Sequence, residues 1–153
     1  MKKVFCDIEK CIGCKSCEIA CAVEHSKSKN IFEAVRESPL PRQRRSVEVI
    51  KNVIISDACH HCDPAPCIGA CMSGSMYKDS RGATLHDEDK CVGCWMCIMA
   101  CPFGAISRQE KLALKCDLCP DREDSFACVE ACPTGALIAG TIDEFKVKLE
   151  ESK

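Results

Sequence analysis

Cys91-Val92-Gly93-Cys94-Trp95-Met96-Cys97-Ile98-Met99-Ala100-Cys101-Pro102 decides how this chain folds. Three cysteines recur at every third position, a fourth follows after three more residues, and a proline closes the run. The spacing C-x2-C-x2-C-x3-C occurs again at Cys11, Cys14, Cys17 and Cys21. Two looser groups share the chain. One is Cys59, Cys62, Cys67 and Cys71; the other is Cys116, Cys119, Cys128 and Cys132, which Pro133 follows. Sixteen of the seventeen cysteines therefore fall into four groups of four, and Cys6 alone stands apart.

Seventeen cysteines in 153 residues, against 5 Phe, 1 Trp and 1 Tyr, describe a chain organised around thiols rather than packed rings. The N-terminus has no long apolar region and no twin-arginine start, so the chain reads as cytoplasmic. Cytosolic thiols stay reduced, which disfavours a disulfide scaffold and favours metal. The spacing favours one metal cofactor in particular. A cubane [4Fe–4S] cluster presents four iron corners, each wanting a soft thiolate. A C-x2-C-x2-C loop wraps three of them, with its backbone N–H groups aimed at the sulfurs. The fourth cysteine points away and, in two-cluster ferredoxins, reaches the other cluster. Sixteen thiols at four per cubane give four [4Fe–4S] clusters. Zinc is the alternative, but its knuckles want a spacer between C-x2-C pairs. Only the fourth group, with its eight-residue gap, resembles that. A zinc-bound interaction module would be colourless.

Three groups end alike. Cys71 leads into Met-Ser-Gly-Ser-Met76, Cys101 into Pro-Phe-Gly-Ala-Ile106 and Cys132 into Pro-Thr-Gly-Ala-Leu137. The shared C-x-x-G-[AS]-[LIM] predicts a glycine turn before a short strand, repeated through the chain. Cys21 leaves its group differently, into an insertion over 22–58. There, residues 39–45 read as a basic loop and Ser46 to Ile55 as a β-branched strand. Thr141 to Glu144 is a capping box, and Ile142, Phe145 and Leu149 fall at helical spacing, predicting a short amphipathic helix over 141–151. Two pairings of the groups are open: sequential (first with second, third with fourth) or nested (first with fourth, second with third).

Other classes are excluded by simpler counts. A formal charge of −2 rules out a generally basic nucleic-acid binder, and no helix-turn-helix pattern supports a DNA-linked redox sensor. No apolar stretch reaches the ~20 residues of a membrane span. Little length remains for a separate catalytic domain.

On Cys11-Ile12-Gly13-Cys14-Lys15-Ser16-Cys17-Glu18-Ile19-Ala20-Cys21-Ala22-Val23-Glu24-His25-Ser26 and on Cys91 through Ile106, the chain resembles the four-cluster iron–sulfur electron-transfer subunits of molybdopterin and related oxidoreductases. These include the small subunits of dimethyl sulfoxide reductase, formate dehydrogenase and formate hydrogenlyase. The resemblance is nearest to the CO dehydrogenase iron–sulfur subunit, and a similar subunit serves tungsten-dependent aldehyde oxidoreductases. It implies an α+β fold of two bacterial-type dicluster ferredoxin-like units, one nested within the other, with small strands and helices around four clusters. The outer unit is expected over 1–30 plus 107–153, and an inserted segment with the inner unit over 31–106. The ligand sets it implies are Cys11, Cys14, Cys17 and Cys132; Cys21, Cys116, Cys119 and Cys128; Cys59, Cys62, Cys67 and Cys101; and Cys71, Cys91, Cys94 and Cys97.

A cubane held by four thiolates has no open iron site, so its chemistry is one-electron transfer. The expected role is a relay, not an enzyme, in an anaerobic oxidoreductase complex. Its expected partners are a catalytic subunit (CO dehydrogenase, aldehyde oxidoreductase, formate dehydrogenase or hydrogenase) and a second redox partner. A free or self-associating polyferredoxin is the alternative. Four oxidised clusters at about −2 each would carry the chain to about −10. Among single residues, Cys6 reads as a strand residue. His60 and His61 read as loop packing or hydrogen-bond donors to the cluster, and His25 and His86 as surface residues. Trp95 and Met96 shield a cluster or meet a partner. Gly13 and Gly93 let their loops approach closely. Lys115 is a solvated lysine or raises a potential, and Arg42, Arg44 and Arg45 are a solvated loop or an acidic partner's dock.

Overall fold

The computed structural model describes residues 1–122 and 125–151. Residues 123–124 and 152–153 of the expected outer unit lie outside the described residues. In chain order the elements begin with β1 (Lys3–Cys6), α1 (Ser16–Glu24), α2 (Ile31–Ala34), β2 (Arg45–Ile50), β3 (Val53–Ala58), α3 (Pro66–Gly69) and β4 (Met76–Lys78). They continue with β5 (Thr84–His86), α4 (Met96–Ala100), β6 (Ser107–Gln109), β7 (Leu112–Leu114), α5 (Ala127–Glu130), β8 (Leu137–Gly140) and α6 (Ile142–Glu151). The fold is α+β, built from short elements. The strands form four two-stranded sheets among the described residues, β1 with β8, β2 with β3, β4 with β5 and β6 with β7. No described helix is long and apolar enough to cross a membrane.

The chain divides into two compact units, one of Met1–Asp57 with Cys119–Lys153, the other of Ala58–Leu118. In the first, β1 and β8 pair antiparallel with Lys3 opposite Gly140 and Cys6 opposite Leu137. α1 packs on α5. The Phe5 ring stacks on Phe145, centroids 4.9 Å apart, which fastens α6 to this sheet. α6 opens on reciprocal bonds: Thr141 N–H donates to Glu144 Oε2 at 2.8 Å, and Glu144 N–H to Thr141 Oγ1 at 3.4 Å.

The β-branched run over 46–55 is a hairpin and not one strand. Lys51 and Asn52 take φ of 46° and 69°. Two consecutive left-handed residues make the tight turn whose twist suits antiparallel strands, and asparagine tolerates that region better than most residues.

The second unit repeats the first in another order. Its hairpin β4–β5 is antiparallel, with Met76 opposite His86, and α3 packs on α4. In the first unit the corresponding pieces are β8 and β1, and α5 and α1. Each unit thus pairs the strand after a C-x-x-G turn with the strand before a C-x2-C-x2-C run. The second unit's core gathers Cys67, Met76, Cys97, Ile106 and Ala113, with Ile68, Cys71, Ile98 and Cys101 against it. With Ala65, which also packs there, four of these ten residues are cysteines, so removing what the thiols hold would remove much of the core's order.

Candidate metal centre

The two ferredoxin-type runs fold as the same loop. Gly13 and Gly93 have φ of 70° and 67°, and two residues on, Lys15 and Trp95 have φ of 61° and 64° as the N-caps of α1 and α4. Alternating left-handed residues bend each loop, and in the first they bring Cys11, Cys14 and Cys17 to one cavity. The glycines are required at this place. A Cβ on Gly93 would stand 2.8 Å from the Lys111 carbonyl oxygen, and one on Gly13 3.2 Å from the Ile54 side chain. The glycine turns recur as well. Gly74, Gly104 and Gly135 have φ between 61° and 68°, and each donates its N–H to the carbonyl of the cysteine three residues back, at 3.3 Å.

In the first unit, one cavity of about 300 Å³, partly open to solvent, is lined by Cys11, Cys14, Cys17 and Cys132. Three come from the loop and first turn of α1, and the fourth from beyond α5, 115 residues after Cys17 in the chain. Cys14 is exposed and Cys17 buried. The Ser16 hydroxyl and N–H hold the Cys14 thiol below its ordinary range. Burial pushes Cys132 up, but the N–H of Leu137, the Thr134 hydroxyl and further N–H groups outweigh it and leave it lowered. Burial pushes Cys17 up, against Ser56 and Arg45. Ser56 Oγ lies 3.3 Å from Cys17 Sγ.

Cys21, Cys119 and Cys128 are all buried in this unit. Arg44 N–H donates to Cys21 Sγ at 3.2 Å. His25 is partly buried, with Nδ1 2.7 Å from the Cys21 carbonyl oxygen and 3.8 Å from its sulfur. It sits beside these thiols rather than on the open surface. Cys116, which the resemblance groups with them, belongs to the second unit. Cys6, on β1, accepts the Ser56 N–H at 3.4 Å and is pushed up to about 11, first by burial and then by neighbouring Cys11. It is a protonated thiol at neutral pH.

The second unit has a matching cavity of about 320 Å³, lined by Cys59, Cys62, Cys67 and Cys101. His60 stacks on Phe103 at its wall, centroids 4.0 Å apart. His61 is 1% exposed; its N–H donates to Cys59 Sγ at 3.4 Å and its Nδ1 accepts from Thr84 N–H at 3.1 Å. Lys78 Nζ ties the loop by donating to the carbonyls of Cys62 (2.6 Å) and Gly82 (2.9 Å). Lys115 is buried, not solvated, and donates to the carbonyls of Thr84 and Cys116. Burial and the neighbouring Cys59 push Cys67 up, while Lys115 pulls it down.

Cys71, Cys91, Cys94 and Cys97 also lie in this unit. Met76 N–H donates to Cys71 Sγ at 3.4 Å, and the Ser73 hydroxyl lies 3.6 Å away. Burial raises Cys71, yet these donors bring it below its ordinary range, as with Cys132. Cys97 is raised by burial and by its neighbours Cys71 and Cys91. Cys94 is exposed, and Arg108 stands 5.9 Å from the Trp95 ring centroid.

No disulfide joins the cysteines of the described residues. The family profile described as a 4Fe-4S dicluster domain matches residues 50–142. The chain belongs to that dicluster family. The electron transport protein HydN of Escherichia coli (strain K12) is 40% identical over 154 residues, spanning 88% of this chain and 85% of HydN. An iron-sulfur protein of Rhodospirillum rubrum is 34% identical over 167 residues, spanning 98% and 87%. The thiosulfate reductase electron transfer subunit PhsB of Salmonella typhi is 34% identical over 148 residues, spanning 93% and 77%.

The dicluster chain's residues fit [4Fe–4S] clusters by their chemistry. Each cavity offers four soft thiols and no hard oxygen ligand set. N–H groups already reach cysteine sulfurs, as they do around cluster thiolates. Thr84 lines the second cavity, and its buried Oγ1 has no hydrogen-bond partner among the described residues. That orphaned donor suits a cavity filled by a group with acceptor atoms. Sequence reading missed Ser56 and Thr84, since an isolated hydroxyl in a strand carries no motif. Arg45, which reads from sequence as part of a solvated loop or an acidic partner's dock, is buried.

Proposed function

We propose that this chain is a non-catalytic subunit that relays single electrons through four [4Fe–4S] clusters inside an oxidoreductase complex. The observation that carries the proposal is that each unit gathers four thiols, from segments distant in sequence, around one cavity. The proposed ligand sets are the four named by resemblance: Cys11, Cys14, Cys17 with Cys132; Cys21, Cys116, Cys119 with Cys128; Cys59, Cys62, Cys67 with Cys101; and Cys71, Cys91, Cys94 with Cys97. In this reading the second unit is a dicluster unit nested in the first. When bound, such clusters supply one-electron transfer without bond chemistry on a substrate.

The chain's own residues do the rest. N–H groups of Met76 and Leu137 stabilise thiolate charge at Cys71 and Cys132. The His60–Phe103 stack limits water at one wall of the second cavity. The exposed Cys14 and Cys94 mark where each unit's thiol set comes nearest the surface, the places for electrons to enter and leave. Seventeen cysteines in metal-cluster spacing within 153 residues favour a reducing, cytoplasmic setting.

For the catalytic partner, the resemblance over 11–26 and 91–106 supports a CO dehydrogenase. Similarity to an electron transfer subunit of thiosulfate reductase supports the wider class, in which aldehyde oxidoreductase, formate dehydrogenase and hydrogenase are the alternatives. The test is anaerobic purification with iron and sulfide counts and identification of what co-elutes. About sixteen irons and sixteen sulfides per chain are expected at four per cubane. About eight, or a colourless zinc protein, would refute the four-cluster relay.

A further inference from the structure

We infer that Arg45 raises the reduction potential of the cluster held by Cys11, Cys14, Cys17 and Cys132, acting through the Ser56 hydroxyl. The inference rests on the ligand set proposed above for that cluster.

Arg45 begins β2, at the end of a basic stretch, yet it is only 5% exposed. Its Nη1 donates to the Ser56 carbonyl oxygen at 2.8 Å and to Ser56 Oγ at 3.1 Å. Ser56 lies on β3, the other arm of the hairpin, and is 3% exposed. Its Oγ stands 3.3 Å from Cys17 Sγ, and it lines the cavity of the four thiols. Its N–H is held by Cys6 Sγ. Ser56 is therefore fixed at its N–H, its carbonyl and its side chain.

That arrangement sets a direction. A guanidinium has only donors, so the Ser56 oxygen must accept from it. The hydroxyl proton is then left for the Cys17 sulfur. Guanidinium, hydroxyl and thiolate form a chain in which each bond polarises the next.

The charge balance points the same way. Arg45 Nε is buried without a hydrogen-bond partner, and no carboxylate pairs with this guanidinium among the described residues. A buried cation without a counter-ion is costly. The thiolate set beyond Ser56 is the negative charge that offsets it. Taking up one electron makes that set more negative by one charge, with no bond or proton change. The cation and the hydroxyl bond both favour the more negative form. Arg45 is thus a positioning residue for electron transfer, and it makes this cluster easier to reduce than it would be without the cation.

The test uses the whole chain, purified anaerobically with its clusters, as R45Q, R45K, S56A and C14S. Midpoint potentials are read by EPR-monitored redox titration, and iron and sulfide are counted in each. R45Q should shift one reduction equilibrium toward the oxidised form by about tenfold, which is 59 mV for a one-electron couple. S56A should shift the same signal in the same direction by less, and R45K should fall between parent and R45Q. The responding signal should be the one that C14S removes or alters. If R45Q loses iron, S56A, which keeps the cation in place, must still lower that midpoint. Midpoints unchanged in S56A and R45K at parental iron content overturn the inference alone, provided C14S still alters one cluster. A shift confined to a signal that C14S leaves intact overturns the ligand set, and this inference with it.

Discussion

Alanine at Gly93 should destabilise the protein far more than alanine at Gly74, although the two glycines have nearly the same backbone. Their φ values are 67° and 68°. Both substitutions carry the cost of holding an L-residue in the left-handed region, about 1–2 kcal/mol. They differ in space. Nothing lies within 4 Å of a Cβ at Gly74, whereas at Gly93 the Lys111 carbonyl oxygen lies 2.8 Å away. That oxygen belongs to the backbone of the tight β6–β7 turn and cannot rotate aside. Forcing a methyl against it adds an overpacking cost of roughly 1–3 kcal/mol. G93A should therefore lose about 2–5 kcal/mol and G74A about 1–2 kcal/mol. G13A should fall between them, because its neighbour at 3.2 Å is the Ile54 side chain, which can yield. Anaerobic urea unfolding of the cluster-bound protein, followed by far-UV circular dichroism, reads the series. The order G74A, G13A, G93A is the prediction. Equal losses for G74A and G93A, within about 0.5 kcal/mol, would show that the close approach of the ligand loop to the turn carries no energy.

Three more outcomes follow from the thiol sets. C59S and C101S should each lower the iron count by one cluster, about four irons, and the double variant should lose no more than either single one; additive loss of two clusters would place these cysteines on different clusters. His61→Ala removes a 1%-exposed ring and leaves the buried Thr84 N–H without its acceptor, so it should cost about 2–4 kcal/mol and release iron first from the second unit. This is measured by thermal bleaching of visible absorbance, and a parental bleaching profile would count against it. Chelation and removal of the clusters should collapse the amide dispersion of the NMR spectrum, because six buried core positions (Cys17, Cys21, Cys67, Cys97, Cys119 and Cys128) are themselves thiols. Retained dispersion in cluster-free protein would show that the organic core folds alone.

What could be read from the sequence was what short range determines. Two identical spacings produced two loops with the same alternation of left-handed residues, at Gly13 and Lys15 and at Gly93 and Trp95. Three copies of C-x-x-G produced three turns with the same bond back to the cysteine carbonyl. In both cases the residue types needed for the conformation stand within five positions of each other. Thr141 and Glu144 capped α6 for the same reason. The Lys51-Asn52 turn escaped notice because β-branched residues on both sides read as one unbroken strand, and a lysine gives no sign of positive φ.

Burial of charge was illegible for a different reason. Arg42, Arg44 and Arg45 look alike in sequence, a basic loop of the kind water usually solvates. What separates Arg45 is its place at the start of a hairpin whose other arm brings Ser56 to its guanidinium. Lys115 is the same case in the second unit, placed against the carbonyls of Thr84 and its own neighbour Cys116. A lysine or arginine in a chain so short of aromatic core would ordinarily be left in water, since burying it unpaired is expensive. That each unit buries one beside its thiol cavity makes sense if the cavities carry negative charge when filled. The cations are then the complement of the cysteines: thiolates gather the metal, and the buried positive groups make their combined charge tolerable inside so small a fold.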